Sequence, residues 1–325
     1  MRYLFFLIFS FSTIFANAHI FVYHRFADDR YQSANTTIKE LTKQFEYFKN
    51  NNYKVVPLLD IVEKLEKKET IPNNWIALTI DDAYKSFYEH GLDIFKKYNY
   101  PFTLYVYVKA TDKKYGDYMT WDQIKDSAKY GTIGLHSYNH PRLQNLSDKQ
   151  IVTDTQKAYD IFVKKLDIKP LTYAYPYGEY ISRVTNTLRD NFNFKSILNQ
   201  NTGSINSRTN VFDIPRIALV GDVNIKHKLR YKSFDATWYE PLSFPEDGIL
   251  KRVHAKVDKR IKNLKLYITS EGWRDVKVVD GIVDIKLNTY LKRARTRIML
   301  GPDVFTISNN IINKVKKSKL KKEEN

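Results

Sequence analysis

Apolar residues recur along this chain in two rhythms, and the rhythm changes near residue 250. Before that point, short apolar runs alternate with stretches whose apolar residues fall three or four apart. IFVYHRF (20–26) reads as a strand, and TTIKELTKQFEYFKNNN puts Ile38, Leu41, Phe45 and Phe48 at helical spacing. YKVVPLL and DIVEKLEKKE predict a second strand and helix. WIALTI (75–80) is continuously apolar, as a strand buried on both faces requires. YKSFYEHGLDIFKKY follows as a helix with Phe87, Leu92, Phe95 and Tyr98 on one face. The alternation continues through FTLYVYV, TWDQIKDSAKY, TIGLHS and SDKQIVTDTQKAYDIFVKKL. Thr120 caps the first of these helices, and Ser147 with Gln150 forms a capping box on the second. LTYAYPY, SRVTNTLRDNF, FKSILNQ and IPRIALV complete the series. Alternation at this spacing predicts a parallel sheet with helices outside it, and seven or eight units imply a closed or nearly closed barrel over 19–230.

Residues 231–249 read as a linker, because SFDATWYEPLSFPEDG is rich in proline and aromatic residues. From Leu250 the period becomes two, in KRVHAKVD, LKLYIT, DVKVVDG, IVDIKLN, TRIML and VFTIS. Asn263, Gly272, Asp280-Gly281 and Gly301-Pro302 mark the turns between them. That pattern predicts a small antiparallel β-sandwich over 250–312. Residues 313–325 read as a solvated basic tail.

The first eighteen residues, MRYLFFLIFSFSTIFANA, carry an early arginine, a short apolar stretch and Ala16-Asn17-Ala18. This is the form of a cleaved signal peptide, and no other stretch is long and apolar enough for a transmembrane helix. The expected location is therefore outside the cytoplasm, in a bacterial periplasm or cell envelope, where nucleic acid is not a partner. Cleavage after Ala18 would place His19 at the new N-terminus, where a histidine can bind copper. The 325 residues contain no cysteine, which excludes disulfides and thiolate metal sites. Lys and Arg number 53 against 36 Asp and Glu, a formal charge of +17. Such a charge favours anionic cell-envelope surfaces, although a lysine- and asparagine-rich composition accounts for it equally well.

In a parallel barrel, functional groups collect at the carboxyl ends of the strands. Asp81-Asp82 follows WIALTI, His136 and His140 follow TIGL, Tyr175-Pro176-Tyr177-Gly178 follows LTYA, and His24 ends the first strand. Two histidines and one carboxylate make a three-ligand metal set that leaves a position open for water. A cation would also settle the repulsion within the Asp81-Asp82 pair, with one carboxylate on the metal and its neighbour free to take a proton. The plainer alternative is that the pair caps the following helix.

LTIDDA, HSYNHP and YAYPYG, in this order and spacing, resemble the first three motifs of the polysaccharide deacetylase family. The family is also called the NodB-homology domain or carbohydrate esterase family 4, and the likeness covers Phe21 to Val220. It implies an α/β fold, a distorted (β/α) barrel of about seven strands. It also implies metal-dependent removal of N-acetyl groups from a polysaccharide containing N-acetylglucosamine, either an exopolysaccharide or peptidoglycan. By the same likeness one divalent ion, zinc as a rule, is held by Asp82, His136 and His140; Ni2+, Co2+ or Fe2+ also suit these ligands. Asp81 becomes the general base, and the backbone N–H of Tyr177 helps to bind the oxyanion.

VYHRF resembles the opening of the poly-N-acetylglucosamine deacetylases of biofilm systems, in which the acid motif is permuted to the N-terminal strand. His24 is then the general acid, with His227 in NIKHKLR as the other candidate. Two positions depart from the family pattern. Ala83 stands where glycine is usual, and Thr172-Tyr173-Ala174 lacks the arginine that normally orients the base. Arg216, in IPRIAL, is expected to reach Asp81 instead. An O-acetyl esterase and a non-catalytic glycan-binding protein on the same barrel are the alternative functions.

Overall fold

A computed structural model describes residues 17–316. The signal-peptide reading, apart from Asn17 and Ala18, and the tail beyond Lys316 lie outside the described residues. Ala18 is fully buried and pairs with Ile205. The Asn17 side chain accepts hydrogen bonds from Ser204 Oγ at 3.0 Å and the Ser233 N–H at 2.8 Å. His19 is buried within the first strand, its Nε2 3.0 Å from the Tyr231 carbonyl. No helix among the described residues is long and apolar enough to cross a membrane.

The barrel strands are β1 (His19–Tyr23), β2 (Lys54–Val55), β3 (Trp75–Ile80), β4 (Thr103–Val106), β5 (Thr132–Leu135), β6 (Thr172–Ala174), β7 (Ser196–Leu198) and β8 (Ile217–Ala218). All pair in parallel, in the order β8-β1-β3-β4-β5-β6-β7, with β2 beside β3. Seven of these strands thus curl into a distorted barrel, with the short β2 set beside β3 off that path. Its two edges are linked by the segment before β8. Val211 and Ile214 exchange backbone hydrogen bonds with Ile197 and Asn199 at 2.9–3.1 Å, and the chain then runs on to pair with β1.

The main helices are α1 (Ile38–Asn50), α2 (Leu58–Glu66), α3 (Leu92–Tyr98), α4 (Val108–Asp112), α5 (Trp121–Ser127), α6 (Asp148–Leu166), α7 (Ser182–Asn191) and α8 (Ile225–Lys228). A π-turn, Phe87–Gly91, leads into α3. The five-residue step from Phe87 to Leu92 would carry Leu92 off an α-helical face, and the wider turn brings it back. Gly91 makes room, since a Cβ there would meet the Phe87 and Phe26 rings at 2.9 and 3.0 Å.

Along β1, Phe21 and Tyr23 face the helices while Ile20 faces the barrel interior, as a period of two requires. The same alternation turns Ala77 inward from β3, between outward-facing Ile76 and Leu78. The buried Arg216 fills the interior at the level of Thr79, its guanidinium 5.5 Å from the Tyr105 ring centre.

The C-terminal strands are β9 (Lys232–Ser233), β10 (Thr237–Glu240), β11 (Ile249–Lys256), β12 (Asn263–Ile268), β13 (Gly272–Lys277), β14 (Ile282–Tyr290), β15 (Arg295–Gly301) and β16 (Thr306–Asn313). They form a five-stranded sheet, β9-β16-β15-β12-β13, and a three-stranded sheet, β10-β11-β14. A shared core of Leu250, Val253, Leu264, Leu266, Ile298 and Leu300 lies between the two sheets. The stretch expected as a linker supplies β9 and β10. The pairing is antiparallel except where β9 runs parallel to β16.

Asp213, in the closing segment, accepts hydrogen bonds from Tyr180 Oη and the Asn199 amide. Burial pushes its pKa up to about 6. The folded state therefore binds this proton more tightly than the unfolded chain, where an aspartate titrates near pH ~4. The stability gained is full below the unfolded value and is lost as pH rises through about 6. Asp213→Asn should remove this loss, so its urea stability should exceed that of the wild type by on the order of 2 kcal/mol at pH 8 but not at pH 4. Parallel stability curves across that range would contradict this account.

Candidate metal centre and catalytic cleft

The barrel register brings the sequence motifs to one rim. Tyr23 is opposite Ile80, and the Asp81 N–H donates to the Tyr23 carbonyl at 3.0 Å, so His24 and Asp81 leave neighbouring strands at one level. His136 leaves β5, Tyr175 leaves β6, and Asn199 and Gln200 leave β7. His24, Asp82, His136, His140, Tyr177 and Gln200 line a cleft of about 610 Å3. His227 does not line it; its ring stands 4.8 Å from that of Phe305.

The two adjacent aspartates face different surroundings. Asp81 is fully buried and gripped by Arg216, with Nη1 2.6 Å from Oδ1 and Nη2 2.8 Å from Oδ2. Arg216 also donates to Thr79 Oγ1 at 3.1 Å and, through Nε, to the Asn199 carbonyl at 2.8 Å. Burial opposes ionisation of Asp81, but the guanidinium charge outweighs it and keeps the pKa below the usual carboxylate value.

Asp82 turns away from this fork because its backbone is left-handed (φ 72°), as is that of Ala83 (φ 58°). Ala83 therefore does occupy a conformation that favours glycine, at a cost of roughly 1 kcal/mol. The Met119 N–H donates to its carbonyl at 2.9 Å and helps to hold the turn.

Asp82 Oδ1 lies 3.2 Å from His140 Nε2 and 3.5 Å from His136 Nε2, and the two Nε2 atoms are 3.2 Å apart. The His136 Nδ1–H donates to the Ala174 carbonyl at 2.7 Å, which leaves Nε2 as a lone pair. Burial pushes the His136 pKa down to about 4, so the ring is neutral at pH 7. Asp82 Oδ1, buried, receives no well-directed hydrogen bond among the described residues. Acceptor atoms converging on one point suit a cation, and Asp82, His136 and His140 have the chemistry and spacing to hold a divalent metal.

The loop carrying His140 is tied from behind. Asp154, on α6, accepts hydrogen bonds from the N–H groups of Tyr138 at 2.9 Å and Asn139 at 3.0 Å, and from the Asn139 side chain at 2.8 Å. Ser137 Oγ accepts from the His140 N–H at 2.9 Å. Tyr177 is left-handed (φ 62°), and its ring lies 4.5 Å from that of His140. Gln200 Nε2 stands 3.1 Å from Asp81 Oδ2 and 3.3 Å from His24 Nε2.

Comparison with known proteins agrees with this geometry. Residues 68–192 match the family model for polysaccharide deacetylase. This stretch of the chain is similar to polysaccharide deacetylases. A poly-beta-1,6-N-acetyl-D-glucosamine N-deacetylase of Escherichia coli strain K12 is 22% identical over 288 residues, covering 74% of this chain. The alignment spans 42% of that relative's length. Among solved structures, the Streptococcus pyogenes deacetylase PplD superposes with a TM-score of 0.61 at 21% identity, covering 66% of this chain and 98% of its own. IcaB from Ammonifex degensii gives 0.56 at 21% identity, covering 64% and 93%. These two likenesses show the fold.

Several residues around this site were not singled out from the sequence. Asp154 carried a usable signal: it is a carboxylate on the apolar stripe of α6 formed by Ile151, Thr155 and Ala158. Gln200 comes two residues after strand β7, near the carboxyl end where the other rim residues lie. The aromatic walls Tyr84, Tyr107 and Tyr118 carried no signal in a chain this rich in tyrosine.

Asp154→Ala should weaken binding of a divalent metal ion by about 10- to 100-fold, as loss of a group that orients a ligand typically does. Asp154→Asn, which keeps an acceptor, should lose less. Competition against a chromophoric chelator measures both, and unchanged affinity in the alanine variant would contradict the anchoring role.

Proposed function

We propose that this chain is an exported, metal-dependent N-deacetylase of a polysaccharide containing N-acetylglucosamine. The observation that carries this reading is the pairing of a clamped, ionised Asp81 with the Asp82–His136–His140 centre on one barrel rim. The E. coli relative's name points to β-1,6-linked poly-N-acetylglucosamine as the substrate, and the placement of His24 on the first strand supports the same subgroup.

Sugar rings enter the cleft beside the packed aromatic cluster of Tyr84, Tyr107 and Tyr118 that lines it. Asp82, His136 and His140 would hold a divalent ion, zinc being the first candidate, which when bound would supply Lewis acidity toward the acetamide carbonyl and water. Asp81 takes the proton of the attacking water. The Arg216 fork keeps that carboxylate ionised and prevents it from turning. As the carbonyl oxygen becomes an oxyanion, the Tyr177 N–H donates to it. His24 then protonates the sugar nitrogen, the C–N bond breaks, and acetate leaves a free amine on the glycan. His24 is preferred to His227 because His24 lines the cleft.

Export rests on the form of residues 1–18, and the cell envelope is the proposed location. The basic C-terminal residues are proposed to meet anionic envelope polymers.

Acetate release from N-acetylglucosamine oligomers tests the reaction. Asp81→Asn should lower kcat by at least about 100-fold while retaining metal, as loss of a general base does. Equal rates in wild type and variant would remove Asp81 from the chemistry. Release from O-acetylated glycans alone would favour the esterase reading.

A further inference from the structure

The sandwich makes an unexpected contact with the catalytic rim. Arg295, the first residue of β15, extends its guanidinium into the barrel. Nη1 donates to the Tyr177 carbonyl at 3.0 Å, and Nη2 to the Gln200 carbonyl at 3.2 Å and to Asn201 Oδ1 at 3.0 Å. One planar group therefore spans the loops after β6 and β7. Those loops also press on each other: a Cβ on Gly178 would meet Gln200 Cβ at 2.4 Å and its nitrogen at 2.6 Å. Two further sandwich side chains bind the same loops. Asn309 Nδ2 donates to the Thr202 carbonyl at 2.7 Å, and Asn313 Nδ2 to the Tyr180 carbonyl at 2.9 Å.

The first loop carries the Tyr177 N–H assigned to the oxyanion, and the second carries Gln200, beside Asp81 and His24. Tyr177 holds a left-handed backbone without being glycine, which persists only where the surroundings enforce it. Gln200 reaches Asp81 and His24 with its side chain while Arg295 holds its carbonyl. A guanidinium suits this task better than an ammonium, because its rigid fork fixes the distance between two acceptors.

We propose that Arg295 is a positioning residue for the deacetylation reaction: the sandwich acts as a brace that sets the Tyr177 N–H and the Gln200 amide against the reacting centre. It need not bind glycan to do this. This inference rests on the function proposed above, and its test includes a readout that does not depend on activity.

Arg295→Ala and Arg295→Lys are compared with wild type in the full chain. Hydrogen–deuterium exchange should rise at least about 10-fold in peptides covering 175–180 and 199–202, with β12 unchanged, because the loops lose a tie that the sandwich core does not need. Acetate release should show kcat lowered at least about 10-fold, with KM and bound metal within about twofold, the signature of misplaced groups rather than lost binding. Arg295→Lys should recover little of either, since it keeps the charge but not the fork. Unchanged loop exchange, or kcat within twofold of wild type in Arg295→Ala, would overturn the proposal. If Arg295→Ala fails to fold, the same criteria apply to Arg295→Lys. If wild type releases no acetate, the functional reading falls and loop exchange alone decides the bracing role.

Discussion

The fork between Arg216 and Asp81 is the constraint around which this barrel is arranged. Both groups are fully buried, and taking such charges out of water costs several kcal/mol each. The cost is offset because the guanidinium meets both Asp81 oxygens, Thr79 Oγ1 and the Asn199 carbonyl. Removing either partner would leave an uncompensated buried charge, at about 3–5 kcal/mol. Arg216 also lies where the chain leaves β7 and joins β1, so closing the barrel and seating Asp81 are one event.

The second constraint is electrostatic. A neutral His136, a carboxylate oxygen of Asp82 and His140 converge, with the oxygen and the two Nε2 atoms 3.2–3.5 Å from one another. Such a cluster is costly unless a cation enters it. The left-handed backbone at Asp82 and Ala83 is what separates the two aspartates, sending one carboxylate to Arg216 and the other to the histidines. That local strain is tolerated because the Asp81 N–H and the Ala83 carbonyl are both tied to neighbouring backbone.

Much of this was legible from the chain alone, since hydrophobic period reports the elements and strand ends report the rim. WIALTI, TIGL and LTYA place three polar clusters on one edge from their sequence alone. The arginine missing from the third motif pointed to Arg216, which lies at Asp81. What stayed hidden depends on long-range register. Nothing local marks Lys232–Ser233 and Thr237–Glu240 as strands, because their partners lie across the sandwich. The π-turn was masked by a helical pattern with one step too long. Arg295 was one cation among 53, and only the packing of two domains gives it a task.

The account stands on a division of labour between neighbouring carboxylates, one clamped for proton transfer and one facing the metal. Metal-binding isotherms of Asp81→Asn and Asp82→Asn, measured side by side against wild type, test this most directly. One divalent ion per chain should bind Asp81→Asn with near wild-type affinity, while Asp82→Asn should bind at least about 10-fold more weakly, having lost a ligand. Equal losses in the two variants, or the reverse order, would contradict it.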